Sequence, residues 1–244
     1  MKQDEFYQIV TKQMERQVIE ERDTIEKAAQ ICAESVCSGR LIHVFGCGHS
    51  QMFAMEIFYR AGGLVPVDAL LIPHLALFPK AELSTQQERI EGFTNKYLDQ
   101  VNVSPKDTML IASISGRNAG VIDMALEAKK IGMKVISLTS KKFSDSVTSR
   151  HSSGKKLSEV SDVVIDIKCE PGDACLTMDG IDGKFTGTST ILGMLVVDSI
   201  TSRTIEICVN KGYIPPLYMS ANLDAGDEHN KASIEKYKTM IDCL

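Results

Sequence analysis

No Cys-x-x-Cys pair occurs among the seven cysteines of this chain, and seven is an odd count. A disulfide framework and a zinc ribbon would both look different. The scattered Cys and His positions match no metal-ligand spacing, so neither a metal nor another cofactor is expected. Excess positive charge is missing too: 27 Lys and Arg stand against 32 Asp and Glu, a net charge of −5. Nucleic-acid affinity rests on clustered cations that displace counterions, so a nucleic-acid partner is not expected. Small anions stay open, because a local site can override net charge. Long uncharged apolar runs are also lacking. The most apolar stretch, Thr188 to Val209, carries Asp198, Arg203 and Glu206, too many charges for a bilayer span of about 20 residues. The opening residues MKQDEFYQIV place charges where a signal peptide needs an apolar core. These absences predict a cytoplasmic protein without a membrane partner.

The chain has 244 residues, 43% of them hydrophobic and 24% charged. That is enough to bury roughly 70–75% of the unfolded surface without staples. Residues 3–37 place Phe6, Ile9, Val10, Met14, Val18, Ile25, Ala29, Cys32 and Val36 at three- to four-residue spacing on a charged background. This predicts one long amphipathic helix. Its apolar stripe exceeds what a domain edge requires, so self-association is expected, with packing onto its own domain as the alternative.

After Gly39, short apolar runs fall at 41–45, 64–71, 109–112, 134–138 and 163–167. Helical patterns at 51–61, roughly 86–101 and 121–131 separate most of them, and two more follow near 188–209 and 230–241. Buried strands alternating with helices predict an α/β fold with a doubly wound parallel sheet. No repeat or linker divides the chain. The expected organisation is a single domain over 1–244, with an N-terminal helix at 1–38, a core at 39–210 and a tail and helix at 211–244.

Open parallel sheets bind ligands beyond the carboxyl ends of their strands. After the first run comes Gly46-Cys47-Gly48-His49-Ser50-Gln51, whose two glycines permit a tight turn with N–H groups facing outward. Gln51 stands where the dinucleotide fingerprint needs its third glycine, and no Gly-Lys-Ser/Thr follows. A nicotinamide dehydrogenase and a Walker A site are therefore disfavoured. After the third run comes Ser113-Ile114-Ser115-Gly116-Arg117-Asn118-Ala119-Gly120, with two hydroxyls, a permissive glycine and an amide suited to capping. Two such loops at neighbouring strand ends predict one anion site.

The loops FGCGHS and SISGRNAG, with AKKIGMKVISLT, LSEVSDVVIDI and GTSTILGMLVVDSITS beyond them, resemble the sugar isomerase (SIS) domain family. The resemblance spans roughly residues 35 to 210. It implies a five-stranded parallel sheet flanked by helices in a flavodoxin-like three-layer arrangement, a homodimer or higher homo-oligomer, and a phosphorylated sugar as ligand. By position, Ser50, Ser113, Ser115 and Gly116 match the family's phosphate-binding places, and Gly46, Gly48 and His49 complete the first loop. Asn118 stands where the family often has threonine. The GCGHS loop and the tail Gly226-Asp227-Glu228-His229-Asn230 further resemble bacterial SIS proteins without an assigned activity and proteins of the phosphoheptose isomerase type.

Moving a carbonyl along a sugar needs a base and a group that steadies the enediolate. The isomerases and etherases of this family often carry a glutamate ten residues after the loop serine; here that position is Arg60. Phosphoheptose isomerases place one histidine six residues after the serine and another in the terminal core helix. This chain has Glu56 at the first position and no histidine in 188–209. The remaining acid–base candidates are Glu56, His74 and His229. Glu56 shares a helical face with His49 and Arg60, an i,i+4 ion pair with Arg60 being the alternative. His74 follows the second strand, where an imidazole can relay a proton near neutral pH. His229 would act across a dimer, while Asp227 beside it reads as a helix cap. His43, inside the first strand, is expected in the core. Cys47 reads as a small loop residue whose thiol the surrounding N–H groups would acidify. Segment 149–156, with Arg150, Lys155 and Lys156, reads either as a solvated loop or as a lid over an anion. The expected function is phosphosugar binding with aldose–ketose isomerisation. A non-catalytic sugar-phosphate sensor and an amino-sugar-phosphate etherase or lyase are the alternatives.

Overall fold

The computed structural model describes residues 1–244. Five parallel strands form one sheet: β1 (Ile42–Gly46), β2 (Val67–Leu70), β3 (Thr108–Ala112), β4 (Lys134–Thr139) and β5 (Val163–Asp166), in the order β2-β1-β3-β4-β5. Each apolar run of the sequence supplies one of them. The strand order reverses between β1 and β3, whose partners run from Ile42↔Thr108 to Gly46↔Ala112. That reversal opens a crevice at the carboxyl ends.

Helices cover both faces. One core joins Ile42, Val44, Leu110 and Leu138 of the strands to α2 (Arg22–Cys37), α3 (Gln51–Ile57) and α9 (Ser189–Asn210). The other joins Phe45, Met109 and Ile111 to α6 (Ala119–Ile131). The alternation of side chains along β1 therefore feeds two cores, as expected for a strand buried on both faces. No helix is long and apolar enough to cross a membrane.

The single helix expected over 3–37 is in fact two, α1 (Lys2–Glu20) and α2, hinged at Glu21. The Glu21 carboxylate is buried, pairs with Lys168 Nζ at 2.7 Å and accepts from the Asp166 N–H at 3.3 Å. That tether to the end of β5 turns the chain while leaving the apolar spacing intact. The helix expected over 86–101 is also absent. Short helices α4 (Ala81–Gln87) and α5 (Asn95–Leu98) flank a turn there, because residues 88–94 bond to α6 instead: Gly92 N–H donates to Asp123 Oδ2 at 2.7 Å and Thr94 Oγ1 to Gly120 O at 2.6 Å. Helix α3 ends at Ile57, short of the expected 61, with Phe58 extended.

Helices α7 (Lys141–Asp145) and α8 (Leu157–Val160) bracket the 149–156 segment. A hairpin of β6 (Ala174–Leu176) and β7 (Phe185–Gly187) carries no apolar run long enough to announce it. It leads into α9, where Asp173 accepts from the Thr188 and Ser189 N–H groups at 3.0 and 2.8 Å. This cap on otherwise unpaired donors is worth about 1 kcal/mol. The last helix, α10, spans Gly226–Tyr237 rather than 230–241, and Asp227 lies in its first turn instead of capping it.

Candidate active site

Both loops singled out in the sequence open at the crevice. The first leaves β1 through Gly46 and turns as a 3-10 segment at Gly48–Ser50, with the Ser50 N–H donating to Cys47 O at 3.1 Å. Gly46 is required there: a Cβ on it would overlap the Ser50 carbonyl oxygen and sit 2.6 Å from its carbon. The second loop leaves β3. Its turn closes where the Gly116 N–H donates to Ser113 Oγ at 3.2 Å, and Gly116 has φ +61°, a conformation glycine adopts without strain. Thr139 Oγ1 at the end of β4 donates to Ile114 O at 3.1 Å and holds the loop from behind. Ser50 is buried, Ser113 and Ser115 are half-buried, and His49 is exposed.

Asn118 stands at the N-cap of α6, yet its side chain does not cap. Its Oδ1 accepts from Arg150 Nη1 at 2.9 Å, and its amide faces the carboxyl of Glu88. Arg150 belongs to the segment read as a loop or lid. That segment is tied down: His151 Nε2 meets Asp123 Oδ1 at 3.1 Å, and the Ser152 N–H and Oγ both donate to Glu91 at 2.6 Å. Lys156 is consumed internally, donating to Ser144 O and Val147 O.

The chain has eight arginines. Arg16, Arg40, Arg60 and Arg203 have carboxylate partners. Three of the other four, Arg89, Arg117 and Arg150, converge near Asn118, and the Arg150 N–H donates to Arg117 O at 2.8 Å. Burial and the charges of Arg117 and Arg89 push the Arg150 pKa down. Three arginines without a carboxylate bond thus stand beside the second loop, with Glu88, Glu91 and Asp123 close by.

The acid–base candidates fall in different places. Glu56 is paired with Arg60 at 2.8 Å, so the ion-pair alternative is the one formed. His74 lies in a 3-10 turn, Pro73–Leu75, at the carboxyl end of β2, with its ring edge-on to Phe93 at 6.2 Å. Gln51 Nε2 donates to Ile72 O at 3.0 Å and joins that turn to the start of α3. His229 bonds Leu217 O at 3.2 Å, and Leu217 pairs with Leu64 ahead of β2. It therefore sits at the amino ends of the strands, opposite the crevice of its own chain. Cys47 is buried, and burial together with the Glu88 charge pushes its thiol pKa up, contrary to the acidification expected from nearby N–H groups.

Glu88 is the site residue the sequence did not announce. It follows the last residue of α4, a helix that packs against both the Gly48–Ser50 turn and the Pro73–Leu75 turn. Its carbonyl accepts from the Gly120 N–H at 2.9 Å. Burial raises its carboxyl pKa despite Asn118, Arg89 and Arg150 acting in the opposite direction. The only sequence cue is Gly120, whose missing side chain admits Glu88 against α6.

A doubly wound sheet with two turned, donor-rich loops at its switch point defines a class of small-anion binder. Residues 5–140 match the SIS domain family, and the chain belongs to it. It is 39% identical over 241 residues to a UPF0309 protein of Geobacillus thermodenitrificans, covering 99% of this chain and 97% of that one. A UPF0309 protein of Shouchella clausii is 40% identical over 239 residues, covering 98% and 97%. Among solved structures, a phosphoheptose isomerase from Francisella tularensis superposes with a TM-score of 0.57 at 16% identity, covering 84% of this chain and 97% of that one. Phosphoheptose isomerase GmhA from Neisseria gonorrhoeae gives 0.55 at 17%, covering 83% and 96%. At these identities the likeness is one of fold.

Proposed function

We propose that the protein binds a phosphorylated sugar in the crevice between β1 and β3 and interconverts its aldose and ketose forms. The observation that carries this is the pairing of the two glycine-turned loops at adjacent strand ends, 46–50 and 113–116, beside three arginines that bond no carboxylate. Backbone N–H groups and serine hydroxyls there suit the phosphate, while Arg89, Arg117 and Arg150 add a field that favours an anion. Structural likeness to phosphoheptose isomerases supports the same reading, with the departures at Glu56 and Arg60 arguing for a different sugar. Proton NMR in deuterated water with a panel of pentose, hexose, heptose and amino-sugar phosphates tests it. Deuterium entering C1 or C2 of one member is the expected result. Binding without exchange or conversion of any member would instead favour the sensor alternative.

The reading includes a cytoplasmic homodimer. Tyr7, Val18 and Ile19 of α1 are 71%, 50% and 75% exposed, and with Leu195 of α9 they line one apolar groove. Single exposed apolar residues are ordinary, but a continuous strip along two helices suits a second copy of the chain. Light scattering is expected to give twice the chain mass, and Ile19→Lys to shift it to the monomer. A monomeric parent protein would contradict the dimer.

A further inference from the structure

We propose that Glu88, carried by the end of α4 into the gap between the two loops, is the group that moves the carbon-bound proton of the sugar. The proposal rests on the phosphosugar reading above and names the base that reading lacks. The family position for that base holds Arg60, which is occupied with Glu56, and His229 lies at the other end of the strands.

The placement follows from backbone contacts. The Glu88 carbonyl accepts from the Gly120 N–H, and an ideal Cβ on Gly120 would lie only 3.3 Å from that oxygen. On the other side Thr94 Oγ1 donates to Gly120 O at 2.6 Å. Residue 88 is thereby locked to the first turn of α6, next to the Ser115-Gly116 turn. Its side chain faces the Asn118 amide of the second loop, and its charge reaches Cys47 in the first. The end of α4, packed on the Gly48–Ser50 turn and bonded to the Gly120 N–H, thus brings residue 88 to the gap between the loops.

Its own helix gives it no reason to be there, since a negative charge at a helix C-terminus is unfavourable. No lysine or arginine pairs with it directly, although Arg89 and Arg150 are near. Partial burial raises its carboxyl pKa, the direction that makes a carboxylate a stronger base. Asn118 stands beside it and is itself held by Arg150 Nη1 at 2.9 Å.

In the proposed step the Glu88 carboxylate removes the proton from the carbon adjacent to the carbonyl of the open-chain sugar. The C–H electron pair becomes the C=C bond of an enediolate, and the carbonyl pair moves onto oxygen, where the Arg150 guanidinium stabilises the charge. The hydroxyl proton passes between the two oxygens. Glu88 then returns its proton to the former carbonyl carbon. Atoms and charge balance, and no oxidant or reductant is needed. His74, exposed at the rim of the crevice, is placed to assist ring opening.

The test compares wild type with E88Q and E88D, using inorganic phosphate as the binding probe and the sugar-phosphate panel in deuterated water as the catalytic one. E88Q is expected to bind phosphate at least as tightly as wild type, since a negative charge near the anion is removed, and to lose exchange by about 10²–10⁴-fold. If E88Q does not fold, E88D gives the decision: exchange down at least about tenfold with phosphate affinity kept supports the proposal. Exchange in either folded variant within about threefold of wild type overturns Glu88 and leaves the sugar reading standing. Phosphate binding without exchange by wild type overturns both proton transfer and Glu88's part in it. No phosphate binding by wild type overturns the reading on which the proposal rests.

Discussion

Asp107→Ala is expected to lower stability by about 3–5 kcal/mol, the cost of stripping the partner from a buried charge. One carboxylate here serves five donors: Arg40 Nε and Nη2 at 2.9 and 3.1 Å, the N–H groups of Leu41 and Ser104 at 3.0 and 2.6 Å, and His43 Nε2 at 3.2 Å. His43 Nδ1 meets Asp68 Oδ2 at 2.7 Å, so a fully buried imidazole bridges two buried carboxylates. Burial pulls the His43 pKa down, but the bonds to Asp107 and Asp68 outweigh it and leave the pKa raised. Burial likewise pushes Asp107 up, and the bonds from His43 and Arg40 more than reverse this.

The two shifts give opposite slopes. The His43 contribution is complete below its unfolded value of about 6.5 and is lost as pH rises through the higher folded value. The Asp107 contribution is present above about 3.9 and is lost as pH falls through its depressed folded value. Urea denaturation should therefore show wild-type stability declining on the alkaline side of pH 6.5, with a flatter profile in the variant. A loss below about 1 kcal/mol would mean that solvent replaces the carboxylate readily, contrary to its buried position.

Gly46→Ala should leave the sheet formed but weaken anion binding severely. The new methyl group would lie 2.6 Å from the Ser50 carbonyl carbon and 2.8 Å from its Cβ, all within the turn that presents the first loop. The turn must open, and the Ser50 hydroxyl and the Gly48 N–H move away from the anion. Losing two charge-assisted hydrogen bonds at about 1.5–3 kcal/mol each predicts at least a hundredfold weaker phosphate binding. Isothermal titration with inorganic phosphate, alongside circular dichroism for the fold, reads both effects. Affinity within a few-fold of wild type would remove the first loop from the site.

The five strands and both loops were legible because their signals are local. Apolar runs such as Leu41–Phe45 mark strands buried on both faces, and glycines at 46 and 116 mark turns. The hinge at Glu21 was not legible, since the apolar spacing runs through it and its cause is a tether to Asp166 and Lys168 far along the chain. Glu88 was hidden for the same kind of reason. In Gln-Gln-Glu-Arg-Ile it reads as one charge on a solvated helix face, and only the approach of Gly120 to its backbone brings it to the site. Asn118 looked like a cap by residue type, but Arg150 claims its side chain. His43 lies in the core, as its position inside β1 predicts. Its two carboxylate partners come from β2 and from the approach to β3, a pairing no local pattern reveals.

The central claim is that one anion sits between the loops at the carboxyl ends of β1 and β3. Its most direct test is a titration of the nitrogen-15-labelled protein with inorganic phosphate, following each backbone amide by NMR. The claim predicts saturable shifts at Gly46, Gly48, Ser50, Ser115 and Gly116, with Leu64, Leu217 and His229 at the far end unmoved. Shifts confined to that far end, or none at the loop amides at saturating phosphate, would contradict it.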